Sequence, residues 1–124
     1  MNGTISITAL LRRFGPLLIM SALIFLASAQ EKAPMPDLGF SWQDKVFHAA
    51  AYAVFAWCIA HAASGGTGIR QIGERQALLW MIAGTALYAA GDELHQAFVP
   101  GRSCDVGDWI ADIAGAMLTV AGVW

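Results

Sequence analysis

The chain alternates long apolar runs with short polar interruptions. Four runs stand out, Leu10 to Ala29, Val46 to Ala63, Ala77 to about Gly91, and Trp109 to Trp124, with no consecutive charges beyond Arg12-Arg13 near the start of the first. Period-two alternation is weak throughout, so the pattern predicts helices and not strands. Crossing ~30 Å of hydrocarbon takes ~20 residues, and the last three runs are only about 15 to 18 long. Their ends must therefore recruit polar neighbours: the second helix starts at Asp44, and the third continues through Asp92, Glu93, His95 and Gln96 to Phe98. The expectation is an all-α fold, a four-helix transmembrane bundle with short loops, its helices at about 10–29, 44–63, 77–98 and 108–124 of a single domain spanning 1–124.

The connections carry turn signals: Pro34 and Pro36 between Gln30 and Gln43, the Gly-rich Ser64 to Gly68, and Pro100-Gly101 between Val99 and Gly107. Small residues recur at four-residue spacing, Ala49 with Ala53, Ala86 with Ala90, and Ala111 with Gly115 and Thr119, predicting close approach of neighbouring helices.

Composition sharpens the membrane reading. The chain is 57% apolar and only 13% charged over 124 residues, roughly half the charged share of a soluble domain, so the surplus apolar surface must face lipid. A net charge of -2 with scattered Lys and Arg leaves no basic field and argues against nucleic acid as a partner. Cys58, within an apolar run, and Cys104, in a polar loop, read as two free thiols. Trp42 and Trp109 would mark one interface, Trp80 and Trp124 the other. Arg12, Arg13, Arg70 and Arg75 outnumber Lys32, Lys45 and Arg102, which predicts both termini in the cytoplasm. Arg12-Arg13, Phe14 to Leu26 and Ala27-Ser28-Ala29 also have the layout of a cleavable signal, although retention as a first helix is the favoured reading.

The first and third loops share one side in a four-crossing topology, whichever way the bundle points, so their acidic residues share it too. Asp44, His48 and Tyr52 recur every four residues and form one polar stripe, since each step drifts only ~40° around a helix. Asp92 with Gln96, and Asp108 with Asp112, make further four-residue pairs, and His95 lies three residues from Asp92. Ionisable groups at membrane depth cost about 2.5 to 3.5 kcal/mol each on insertion scales, so they turn inward and find partners. The expectation is a shared pocket pooling Asp44, Asp92, Glu93, Asp108 and Asp112 with Lys45, Arg102, His48 and His95. Asp105 reads more simply as a cap of the last helix, with Arg102 pairing it or Asp108 as scaffolding. His61, at the far end of the second helix, reads as an interfacial residue, and Cys58 as a small core residue.

These residues fall into recognisable boxes: Asp44-Lys45-Val46-Phe47-His48 followed by Tyr52, then Asp92-Glu93 through Gln96, Phe98 and Pro100-Gly101-Arg102, then Asp108 to Asp112 with Gly115. In that order they resemble the VanZ-like membrane protein family, over about Phe25 to Thr119, in which Asn also occurs at the position of Asp112. The resemblance implies a small helical protein of the bacterial inner membrane, in a family named after a protein that raises resistance to the glycopeptide teicoplanin. It singles out Asp44, Lys45, His48, Tyr52, Glu93, Gln96, Arg102, Asp108 and Asp112.

Two functions follow as expectations. The first is an envelope protein that binds or modifies an anionic membrane lipid or a lipid-linked cell-wall precursor at the outer leaflet. There Arg102 and Lys45 would grip phosphate, with Asp44, Tyr52, Gln96 and Asp112 as further binding residues and Glu93, Asp108 and His48 as catalytic candidates. A divalent cation held by Asp44, Glu93, His48 or Asp108 would suit phosphate chemistry. The second is a non-catalytic accessory, whose permanently paired pocket docks an envelope enzyme or senses a lipid. A transporter is disfavoured because the polar residues gather at one membrane edge.

Overall fold

The computed structural model describes residues 5–66 and 73–123. They form four helices, α1 (Ile7–Ser28), α2 (Gln43–Ala63), α3 (Glu74–Gln96) and α4 (Val106–Val123), with no strand among the described residues. α1, α2 and α4 are long and apolar enough to cross a bilayer. α3 spans 23 residues, ~34 Å at 1.5 Å per residue, but polar residues lie at both ends: Glu74 and Arg75 at one, Asp92 and Glu93 at the other. Arg70 and Trp124, part of the expected charge bias and aromatic belt, lie outside the described residues, as does the Gly68 end of the second loop.

Helix ends shift from the apolar runs for local reasons. α4 begins two residues early because Asp105 caps it, its Oδ1 accepting the Gly107 N–H at 2.7 Å. α3 begins at Glu74, an acidic first turn that suits the positive end of the helix dipole. It stops at Gln96, two residues short of Phe98, and tightens into three-residue turns, with Phe98 N–H on His95 and Val99 N–H on Gln96. Pro100 disfavours helical backbone at the residue before it. Gly101 then turns the chain at φ 78°, a conformation that glycine adopts without steric cost. The first connection has the expected length, shifted by one residue: it runs over residues 29–42, folded by the Asp37 carboxylate on the Gly39 N–H and Gln43 Oε1 on the Leu38 N–H.

The tightest seam lies between α2 and α4. A methyl group at Gly115 would collide with the Ala49 carbonyl oxygen, and Thr119 donates to the Ala53 carbonyl at 2.7 Å, so small residues at both levels bring the two backbones together. On α3 the packing face differs from the expected Ala86 and Ala90. Ala90 is exposed, and Ala77, Met81, Thr85 and Ala89 are buried instead. All are four-residue steps, but Met81 fills a gap that an alanine pair would leave open, beside Ala56, Ala60 and Ala116. A second cluster joins Ile24 of α1 to Tyr52, Phe55, Ile59 and Ala89. α1 otherwise presents Leu18, Ile19, Leu23 and Leu26 outward, as a lipid-facing helix does.

Trp42 and Trp80 are exposed, as interfacial anchors require, whereas the Trp109 indole turns inward and donates to the Ala86 carbonyl at 3.1 Å. Cys58 is buried, Cys104 is exposed, and both are free thiols.

Candidate functional site

One end of the bundle gathers ionisable side chains from α2, α3, α4 and the loop before α4. Lys45 sits in the first turn of α2, and its three ammonium donors reach Asp44 Oδ2 at 3.0 Å, Asp105 Oδ2 at 2.8 Å and Asp108 Oδ1 at 2.5 Å. The sequence pattern suggests that this lysine faces a ligand phosphate. All its donors are instead committed to carboxylates, so it braces α2 against the start of α4. The Asp105 carboxyl is held below the usual carboxylate range, first by Lys45 and then by the Gly107 N–H.

One turn further in, His48 lies between two carboxylates of α4: Nδ1 is 2.8 Å from Asp112 Oδ1 and Nε2 is 3.5 Å from Asp108 Oδ2. A neutral imidazole has one N–H and can donate to only one of them. Glu93, from α3, accepts the Asp105 backbone N–H on Oε2 at 2.9 Å. Its Oε1 and the Asp112 Oδ2 have no partner among the described residues. Another turn in, Tyr52 donates to Asp92 Oδ2 at 3.2 Å, and Gln96 reaches the same oxygen at 3.5 Å. The single stripe of α2 thus meets three partners at successive levels: Asp44 stays with Lys45, His48 faces α4, and Tyr52 faces α3.

Two expected members stand apart. His95 stacks on Phe25 of α1, with ring centroids 4.8 Å apart, and its Nδ1 is without a partner among the described residues, because a position three residues from Asp92 faces α1 and not the carboxylates. Arg102 pairs with neither Asp105 nor Asp108: its Nη1 donates to the Gln30 carbonyl at 3.3 Å. It borders a cavity of about 270 Å³ that opens between α1, α2 and α3 beside the first connection. Its lining is largely apolar, with Met20, Leu23 and Ile24 of α1, and includes the polar side chains of His48, Tyr52, Asp92, Gln96 and Arg102.

The boxes read from the sequence therefore meet in space as well as in order along the chain. The family model described as VanZ/LLP1 matches residues 13–124, nearly the whole chain. The protein belongs to the VanZ-like family. No curated protein and no solved structure matches it.

This VanZ-like membrane protein divides its predicted residues between two neighbouring places. Lys45, Asp44, Asp108, Asp112 and Glu93 build the charged cluster, while Tyr52, Gln96 and Arg102 border the cavity and His48 belongs to both. Among the described residues, the group that could hold a metal ion is His48, Glu93 and Asp112, which differs from the anticipated set by replacing Asp44 and Asp108 with Asp112. Asp105 is expected from the sequence as a cap, with Arg102 as a scaffolding partner. It caps α4, and it also accepts from Lys45 and donates to Glu93. No periodicity signals that second role, because Asp105 precedes the helix.

Proposed function

We propose that this VanZ-like protein binds the headgroup and upper chains of an anionic lipid, or of a lipid-linked envelope precursor, in the cavity beside α1. The observation that carries the reading is that one largely apolar cavity, lined by α1 side chains, also has Arg102, His48, Tyr52, Asp92 and Gln96 at its border. An amphiphile presents that same combination. A guanidinium has five donors, and only Nη1 is engaged here, by one carbonyl among the described residues. Its remaining fork suits a phosphate.

Binding is favoured over chemical modification, since of the catalytic candidates His48, Glu93 and Asp108 only His48 borders the cavity. In the proposed orientation the termini lie in the cytoplasm and the cavity opens at the outer leaflet of the bacterial inner membrane. The exposed thiol of Cys104 offers a test: a membrane-impermeant maleimide labels it in intact spheroplasts if the orientation is right, and only after lysis if it is reversed.

The lipid reading is tested in nanodiscs that mix phosphatidylglycerol with phosphatidylcholine. The protein retains phosphatidylglycerol preferentially by native mass spectrometry, and Arg102→Gln weakens that retention by about tenfold, the worth of one charge-assisted contact of roughly 1.5 kcal/mol. Equal retention of both lipids contradicts the proposal. Expression that shifts teicoplanin susceptibility in a manner dependent on Arg102 would tie the cavity to the phenotype for which the family is named.

A second reading rests on the Lys45 brace, whose three carboxylate partners already satisfy the lysine. A lysine closed off in this way serves as scaffold, which suits a non-catalytic accessory that docks an envelope enzyme. Under that reading Arg102→Gln leaves lipid retention unchanged.

A further inference from the structure

We propose that His48, Glu93 and Asp112 form a site for a first-row divalent cation of the Mn2+ or Zn2+ type, buried where α2, α3 and α4 meet. Each residue offers one ligand atom, and the three atoms lie within 4.8 Å of one another. Ligands ~2.1 Å from one ion stand ~3 to 3.5 Å apart, so small side-chain rotations close the set.

Two further observations point to a cation. Glu93 is 3% exposed and Asp112 fully buried, and each leaves one carboxylate oxygen, Oε1 and Oδ2, without a partner among the described residues. A buried acceptor left unpaired is costly, and a buried carboxylate more so. One ion coordinated by both oxygens removes both deficits. The charge count agrees: Asp44, Glu93, Asp105, Asp108 and Asp112 are joined in one network in which the cationic partners among the described residues are Lys45 and, when protonated, His48.

The donor chemistry narrows the metal. One imidazole nitrogen with two carboxylate oxygens suits Mn2+ or Zn2+ better than Ca2+ or Mg2+, which favour oxygen throughout. The surrounding contacts would hold the ligands in place: the Asp105 N–H fixes Glu93 Oε2, and Asp108 approaches the other nitrogen of His48. A doubly protonated His48 gives up its Nδ1 proton to solvent as the ion binds, whereas a neutral one binds as the Nε2–H tautomer, which donates towards Asp108. With its ligands on three helices, the ion would pin the charged end of the bundle.

The site needs no lipid, so it stands or falls apart from the cavity proposal. The full chain is purified in detergent without phospholipid, stripped with EDTA, returned to chelator-free buffer and titrated with Mn2+ alone and with Zn2+ alone. Saturable binding of one ion per chain is expected, with a rise in melting temperature. Pulsed electron paramagnetic resonance of the bound Mn2+ is expected to show modulation from a directly coordinated nitrogen. His48→Gln and Asp112→Asn each weaken binding by about tenfold or more, whereas His61→Gln leaves it unchanged. Absence of saturable binding, bound Mn2+ without the nitrogen signature, or unaltered affinity in folded His48→Gln and Asp112→Asn would overturn the proposal. The nitrogen signature is read on the wild-type chain, so a variant that fails to fold does not remove the test.

Discussion

α2 carries a histidine near each end, and the two ends treat it differently. His61 is stacked on Trp57 and reaches the Arg12 carbonyl at 3.1 Å. Pro16, four residues beyond Arg12 in α1, lacks the N–H that would otherwise take that carbonyl. Beside it Arg13 donates to the Ala62 carbonyl in the last turn of α2 at 2.8 Å, closing an acceptor that every helix end leaves open. At that end the polar side chains complete the backbone. At the other end, His48 stands between Asp108 and Asp112, and buried carboxylate oxygens remain without partners among the described residues. The lesson is that a polar group in a membrane bundle is structural when it satisfies a backbone deficit, and a site candidate when it adds a deficit of its own.

Four changes break or sharpen this contrast. Gly115→Val drives a side chain into the Ala49 carbonyl and separates α2 from α4, with about 3 kcal/mol or more lost. The measurement is the thermal midpoint in detergent, and both ends should loosen together. Lys45→Met leaves Asp105 and Asp108 uncompensated. Because the lysine side chain is 34% exposed, the cost should be about 2 kcal/mol, below the about 3 to 5 kcal/mol of a fully buried pair. His61→Ala reopens the Arg12 carbonyl for about 1 kcal/mol, read by the same melting curve, and should leave the charged end intact.

The smallest effect concerns acid. The Asp105 carboxyl titrates below its ordinary range in the folded state, because Lys45 and then the Gly107 N–H hold its charged form. Its contribution is therefore complete above the ordinary carboxylate pKa and is lost as pH falls through the depressed folded value. Melting curves below about pH 4 should show a shallower acid loss in Asp105→Asn than in the wild type.

Much of this was legible in the chain. Apolar runs gave the four helices, and four-residue spacing gave the stripe of Asp44, His48 and Tyr52. Small residues gave the seam at Gly115 and Thr119. What stayed hidden depends on pairings that no periodicity encodes. Lys45 and Arg102 differ in role because the third loop carries Arg102 towards Gln30 of the first connection while capping brings Asp105 back to Lys45. The bond from His61 to Arg12 is invisible until α1 and α2 are placed side by side. On α3, alanines at positions 86 and 90 and the face through Ala77, Met81, Thr85 and Ala89 share the same period, and only the shape of the neighbouring helices selects between them.

The convergence of charge from separate helices at one end is measured most directly by a double-mutant cycle on Lys45→Met and Asp108→Asn, read by unfolding in detergent. A coupling of about 1 to 3 kcal/mol is predicted for two side chains in contact across α2 and α4. Effects that simply add, to within about 0.5 kcal/mol, would mean that the two groups do not meet.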